Sequence, residues 1–229
     1  MTRDAALLIS DRSAGALTAS FVEAPAGAKA RPLRIVVIGE FNSGKTSLVN
    51  SLIGAPLLPT SFTTHTAYPT VVGYAARPSL RAEVAQRRRV RFAWDRVDGA
   101  PAAEICRVHV GAPLERLRTL KAVDTPGLGL GDENREARTF RACRGADTVI
   151  WCTPAMQAWK ASELRAWLGL SKTLRRRGVL AVTFMDQIRS KGDAKRLLAR
   201  LKAEAGPLFR KIVPISAAGI VALSDGDIG

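Results

Sequence analysis

Short apolar runs alternate with stretches of helical spacing along this chain. Leu33 to Ile38 reads LRIVVI, apolar at every second and every adjacent position apart from Arg34, which predicts a strand buried inside a parallel sheet. Lys45 to Ile53 sets Leu48, Leu52 and Ile53 on one face of a helix. Residues 55 to 70 hold three prolines and five threonines and read as a long loop. Strands are predicted near 70–76, 88–94 and 105–110, the middle one from the alternation of Val90, Phe92 and Trp94. A short strand from Leu120 to Val123 ends at Asp124. A helix near 133–143 leads to a strand from Thr148 to Cys152. One helix over 161–175 carries Leu164, Trp167 and Leu168 and opens at Ser162-Glu163. A strand from Val179 to Thr183, a basic amphipathic helix near 192–205, a strand from Lys211 to Ile215 and a short helix after Ala217 complete the pattern.

Strands alternating with helices predict an α/β fold, with one mainly parallel β-sheet of roughly six strands and helices on both faces. Residues 1–30 are Ala-rich and broken by Gly15, Pro25 and Gly27, so they read as an N-terminal arm holding one short helix, and the domain proper as 31–229.

Composition adds limits. No apolar run is long enough to cross a bilayer, and Asp4 against the short run Ala5–Ile9 argues against a signal peptide. Cys106, Cys143 and Cys152 lack CxxC spacing and only two histidines accompany them, which argues against a Cys/His metal site. The three read as reduced packing residues of a cytoplasmic protein. The formal charge of +15, with clusters at Arg87–Arg89 and Arg175–Arg177, leaves two readings open. One is an anionic partner surface, lipid or RNA; the other is a solvated basic surface.

The chemistry sits at Gly39-Glu40-Phe41-Asn42-Ser43-Gly44-Lys45-Thr46, which fits GxxxxGK[ST] after an apolar strand and before a helix. The glycines let successive N–H groups curl inward onto phosphate oxygens, and the helix N-terminus adds partial positive charge. Lys45 is expected to reach the β- and γ-phosphates and Thr46 to ligate Mg²⁺; Ser47 extends the loop onto the helix. Downstream, Asp124-Thr125-Pro126-Gly127 follows a short apolar strand. A carboxylate there can hold a Mg²⁺ water, and the Gly127 N–H can bond the γ-phosphate. Between them, the Thr-rich stretch 58–70 can supply a threonine that closes over nucleotide; His65 reads as a surface residue.

These runs, GEFNSGKTSLVNSLIG, then LLPTSFTTHTAYPT, then DTPGLG, resemble dynamin-like GTPases, especially bacterial ones, over roughly residues 33–220. The resemblance implies a G domain that hydrolyses GTP to GDP with Mg²⁺, and it places the Mg²⁺-binding threonine at Thr66. It also directs attention to Thr183-Phe184-Met185-Asp186, where such GTPases carry Asn-Lys-x-Asp or Thr-Lys-x-Asp. Asp186 can accept from guanine N1–H and the 2-amino group, donors that adenine lacks, while Phe184 stands where lysine is usual and can stack on the base instead. The alternative is a strand end with an ordinary capping Asp. Pro214-Ile215-Ser216-Ala217-Ala218 resembles the last motif, with Ser216 and Ala217 near guanine O6.

Leu128 occupies the position that holds a water-orienting Gln in Ras-type GTPases, and it cannot do that work. By resemblance to K⁺-dependent GTPases, Asn42 becomes the candidate K⁺ ligand, completed when two G domains meet in a homodimer through the nucleotide face. The alternative is that Asn42 bonds only within the loop. The catalytic set expected is therefore Asn42, Lys45 and Thr66, and the metal set Thr46, Thr66 and Asp124. The chain leaves no length for a stalk after the last motif, so membrane fission is not expected of it; it reads as a minimal or partial dynamin-like protein, cytoplasmic, with peripheral membrane attachment as an extension. Two competing readings are a GTP-binding regulatory module with little hydrolysis and, less favoured, a P-loop ATPase.

Overall fold

The LRIVVI run forms strand β1 (Leu33–Gly39), in which Ile35 to Ile38 are fully excluded from solvent. The computed structural model describes residues 31–60, 68–84, 89–93, 96–97, 105–129 and 131–216. A strand apolar on both sides needs neighbours on both edges and cover on both faces. β1 has the edges: it pairs in parallel with β7 (Leu120–Asp124) and with β8 (Thr148–Pro154). The parallel series continues through β9 (Val179–Thr183) to β10 (Lys211–Pro214).

Beyond β7 the direction changes. β2 (Thr70–Tyr74) runs antiparallel to β7, and β6 (Ile105–Ala112) runs parallel to β2. β3 (Ser79–Val84), β4 (Arg89–Ala93) and β5 (Arg96–Val97) extend the wing as an antiparallel meander. The full order is β10-β9-β8-β1-β7-β2-β6-β3-β4-β5. The sheet is thus wider than the six strands expected. The strands missed outright are the two-residue β5 and β3, SLRAEV, whose apolar positions Leu80, Ala82 and Val84 alternate with the charged Arg81 and Glu83.

Helices cover both faces, as the alternation predicts. On one face α1 (Lys45–Ile53) packs Leu48, Val49, Leu52 and Ile53 against Ile35, Val37 and Ala122. It ends at Gly54 in the left-handed region (φ 78°), whose N–H returns 2.9 Å to the Asn50 carbonyl. On the opposite face α2 (Glu133–Ala142), α3 (Ala161–Leu168) and α5 (Lys191–Glu204) close over Val36, Ile38, Trp151, Trp167 and Leu201. The single helix expected over 161–175 is two, α3 and the one-turn α4 (Lys172–Arg175). Leu170 turns into the core between them, and the Ser171 hydroxyl starts the second by accepting from Leu174 N–H at 3.4 Å. Cys143 and Cys152 are buried, which pushes both thiols up to about 12, but Cys106 is exposed and is not the packing residue expected. The short helix predicted after Ala217 and the 1–30 arm lie outside the described residues.

Candidate functional site

The loop from Gly39 to Thr46 leaves the C-terminal end of β1 and enters α1. Gly39 has φ 151°, and a Cβ there would sit 2.4 Å from the Cys152 carbonyl oxygen, so only glycine fits. Gly44, at φ 80°, caps α1, and Asn42 is also left-handed at φ 56° and exposed. The curl turns Lys45 inward to 7 % exposure. Its ammonium donates to the Glu40 carbonyl at 2.6 Å and to Ser43 Oγ at 3.4 Å. Burial lowers the Lys45 pKa from its ordinary value, while the negative charges of Asp124 and Glu40 pull it back. A second source of negative charge, such as phosphate, is what this desolvated cation is built to meet.

Asp124, only 1 % exposed, ends β7, and it accepts from the Thr46 hydroxyl at 2.8 Å. Both donors are oxygens, a set that suits a hard divalent cation such as Mg²⁺. The turn that follows is stitched to the phosphate loop. Thr125 Oγ1 donates to the Val37 carbonyl at 2.8 Å, Phe41 N–H to the Leu128 carbonyl at 3.2 Å, and Leu128 N–H to the Gly39 carbonyl at 3.1 Å. A Cβ on Gly127 would lie 2.8 Å from Phe41 Cα, so the two loops touch backbone to backbone. Thr139 of α2 holds the same turn by donating to the Pro126 carbonyl at 3.2 Å. Leu128 itself is buried at 3 % exposure, away from any position from which it can meet solvent water.

The base-recognition candidates converge at the other end of the loop. Thr183 Oγ1, at the end of β9, donates to the Ser43 carbonyl at 2.9 Å and to the Thr153 carbonyl at 3.2 Å. Phe184 is left-handed (φ 57°), and its ring edge lies 3.3 Å from the Cβ position of Gly44. The ring therefore lies across the phosphate-loop backbone. Met185 N–H donates to the Ile215 carbonyl at 3.0 Å, bringing the β10 end alongside, and Ser216 Oγ donates to Asp186 Oδ1 at 3.0 Å. Asp186 and Ser216, thirty residues apart in sequence, are thus one exposed polar corner. Ser47 belongs to α1, where its carbonyl accepts from Ser51 Oγ at 2.7 Å. Thr66 and Ala217 lie outside the described residues.

Sequence reasoning missed the support behind Glu40. Its carboxylate accepts from Ser162 Oγ at 2.6 Å and pairs with Lys160, whose pKa that hydrogen bond raises. Next to Lys160, Glu163 is buried and receives three donors: Trp151 Nε1 at 2.9 Å, Thr153 Oγ1 at 3.0 Å and Lys160 N–H at 2.9 Å. The Ser162-Glu163 pair read as a helix start is correct in place but not in detail. Lys160 is the capping position, and Glu163 serves its N–H from the third residue of α3. An acidic residue at that spacing was the available signal, but its burial against β8 was not.

The sequence pattern of the Dynamin family matches residues 35–185. Dynamin-like protein 2 of Campylobacter jejuni is 28 % identical over 191 residues, covering 80 % of this chain and 31 % of that protein. The chain therefore spans about a third of the length of that relative. A solved structure of an oligomerised bacterial dynamin pair, described as a mechanism for long-range sensing and tethering of membranes, superposes with a TM-score of 0.58 at 21 % identity, over 86 % of this chain and 34 % of that one. A variant of Era from Aquifex aeolicus bound to GDP and AlF₄⁻ gives 0.52 at 16 % identity, over 82 % of this chain and 52 % of that one. At these identities the structural likenesses establish the fold.

Proposed function

We propose, from the premise that this chain belongs to the dynamin family, that it binds GTP in the pocket of Lys45, Thr46 and Asp124 and hydrolyses it to GDP and phosphate as a nucleotide-dependent switch. The observation that carries this reading is the joining of the phosphate loop to the Asp124–Leu128 turn by reciprocal backbone hydrogen bonds, with Thr46 on Asp124 at 2.8 Å. Any group that draws Gly127 toward a γ-phosphate moves a turn already fixed to α2 through Thr139.

Lys45 would neutralise the β- and γ-phosphates, and the loop N–H groups would hold their oxygens. Thr46 and Asp124, with Thr66, would hold Mg²⁺, which supplies charge neutralisation on the phosphates when bound. Asp186 would read guanine, Ser216 and Ala217 would line its O6 edge, and Phe184 would replace the lysine stem usual between base and loop. Asn42 is proposed as a K⁺ ligand completed by a second copy across the nucleotide face. The membrane association described for the bacterial dynamin pair is carried to this chain only as peripheral attachment of a larger assembly; no described helix is long and apolar enough to cross a membrane.

A second reading has its own support. Leu128 is buried and apolar where a water-orienting group would stand, which favours a GTP-binding module with little hydrolysis until a partner or second copy completes the site. One experiment separates these readings from an ATPase: competition of GTP, ATP and XTP against a fluorescent GTP analogue, followed by turnover with the preferred nucleotide. GTP preferred over ATP by at least about a hundredfold, with Asp186→Asn shifting preference toward XTP, is the expected result. Equal ATP and GTP affinity sinks the base assignment.

A further inference from the structure

The sheet face that carries α2 is left open over the wing, and a hollow of about 650 Å³ is recessed into it. Its lining includes two glycines. Gly73 of β2 and Gly111 of β6 are register partners, and Gly111 pairs in turn with Ser79 of β3. Ser79 Oγ and Ala75 Cβ lie 2.5 and 2.7 Å from the Cβ position of Gly111, while over Gly73 only Lys121 approaches, its Cε 3.5 Å from the Cβ position.

Cations form the rim. Arg34 of β1 is the register partner of Lys121 of β7, and Arg107 and Arg81 stand across the hollow on β6 and β3. The sole lining carboxylate among the described residues is Glu83, engaged by His109 Nε2 at 2.9 Å and Arg107 Nε at 3.6 Å. Four cations face one carboxylate. Lys121 and Arg81 have no carboxylate partner among the described residues, and Arg34 Nε is buried with no hydrogen-bond partner there. Burial, and then the charge of Arg107, lower the Arg34 pKa, while Asp147 raises it; the other end of the guanidinium donates to the Ala142 carbonyl at 3.1 Å.

We propose that this hollow is a second anion site, separate from the nucleotide pocket, for a small molecule carrying two or more phosphate groups. Arg34 lies five residues before Gly39 on an extended strand, roughly 16 Å from the phosphate loop. Four inter-strand steps separate β1 from β3 in the sheet order, so the backbones that carry the rim cations span about 19 Å, and four cations offer more positive charge than one phosphate neutralises. The volume suits a compact ligand, and a flat bilayer surface does not reach the recessed glycines. The hollow continues toward α2 as a second cavity of about 240 Å³ that adds Arg138 and Arg141. A ligand there would touch the helix that anchors the Pro126 turn, and so bias the switch.

The test is calorimetric titration of inositol hexakisphosphate into the chain saturated with GDP and Mg²⁺, repeated with Lys45→Ala. One site with micromolar affinity is expected, indifferent to GDP and to Lys45→Ala, and weakened at least about tenfold by Lys121→Ala and by Gly73→Val. Gly73→Val fills part of the hollow without changing charge, and only the flexible Lys121 stem lies near its Cβ position. Binding abolished by GDP would assign the ligand to the phosphate loop and overturn the site. Binding indifferent to Gly73→Val would reduce it to surface electrostatics. Phosphatidylinositol bisphosphate vesicles or an acidic peptide that bind in a Gly73-dependent way, where the soluble ligand does not, would overturn the small-molecule assignment. Failure of GDP to bind would remove the nucleotide reading and leave this one standing on the Gly73 arm.

Discussion

At the scale of single residues the phosphate loop is a set of left-handed and inward-turned positions that leave one desolvated cation. Lys45 has its ammonium satisfied by a carbonyl and a hydroxyl, neutral groups that repay only part of its burial. A phosphate bound there would replace that compromise with full charge pairing. Lys45→Ala is therefore expected to weaken a fluorescent GTP analogue by at least about a hundredfold, read by fluorescence titration; unchanged affinity would move the phosphate site elsewhere. Phe184 carries a second residue-scale test. Its ring lies over Gly44 where the family resemblance leads one to expect a lysine stem. Phe184→Ala removes that cover and is expected to weaken GDP by about tenfold, because a base stacked on an aromatic ring loses that contact. If the affinity is unchanged in a titration with GDP, the ring serves the loop and not the base.

At the scale of elements, the tie between α3 and the sheet is the most consequential feature that pattern did not reveal. Glu163 is one carboxylate with three donors around it. Glu163→Gln keeps the shape but turns an amide NH₂ toward one of those donors. It is expected to cost about 1–3 kcal/mol in urea unfolding at pH 7. Burial raises the Glu163 pKa above 4.5, against the three hydrogen bonds that lower it. The folded state then takes up its proton at higher pH than the unfolded state does. The contribution of this group is fully present below pH 4.5 and is lost as pH rises through the folded value, so the wild-type advantage over Glu163→Gln should grow as pH falls toward 4.5. A difference that shrinks on acidification would contradict the sign. The elements themselves were legible wherever one period dominated: β1, α1, β8 and β9 follow from their apolar runs. β3 was not: its alternation is present but rests on weak strand formers such as Ala82 and Glu83. Lys45, Thr46 and Asp124 were legible because contiguous motifs carry them. Family resemblance set Asp186 and Ser216 each against guanine, but neither their hydrogen bond nor the Glu40–Lys160–Ser162 contacts were legible, because sheet order brings them together and local spacing does not encode it.

At the scale of the whole molecule, the sheet separates two kinds of surface. The strand ends that carry the phosphate loop, the Asp124 turn and the Asp186 corner form one edge, and the basic hollow begins at the opposite end of β1 and β7, at Arg34 and Lys121, and extends over the wing. Leu128, where a water-orienting side chain would stand, is packed into the core. The proposed hydrolysis would then draw its transition-state charge from across that edge, where Asn42 is exposed and is the proposed ligand of a shared cation. Testing it requires respect for the backbone. Asn42 sits at φ 56°, where a residue such as Ala costs roughly 1–2 kcal/mol and glycine costs little, so Asn42→Gly removes the amide without straining the loop. GTP turnover measured in matched KCl and NaCl, over a range of protein concentrations, is expected to be roughly tenfold or more faster in K⁺ and to rise in specific activity with concentration. Asn42→Gly is expected to abolish the K⁺ advantage while leaving GDP affinity within about twofold, since a cation at developing charge acts mainly in the transition state. Equal rates in both salts at every concentration would leave Asn42 with a backbone role alone and assign the missing group to a partner of different sequence.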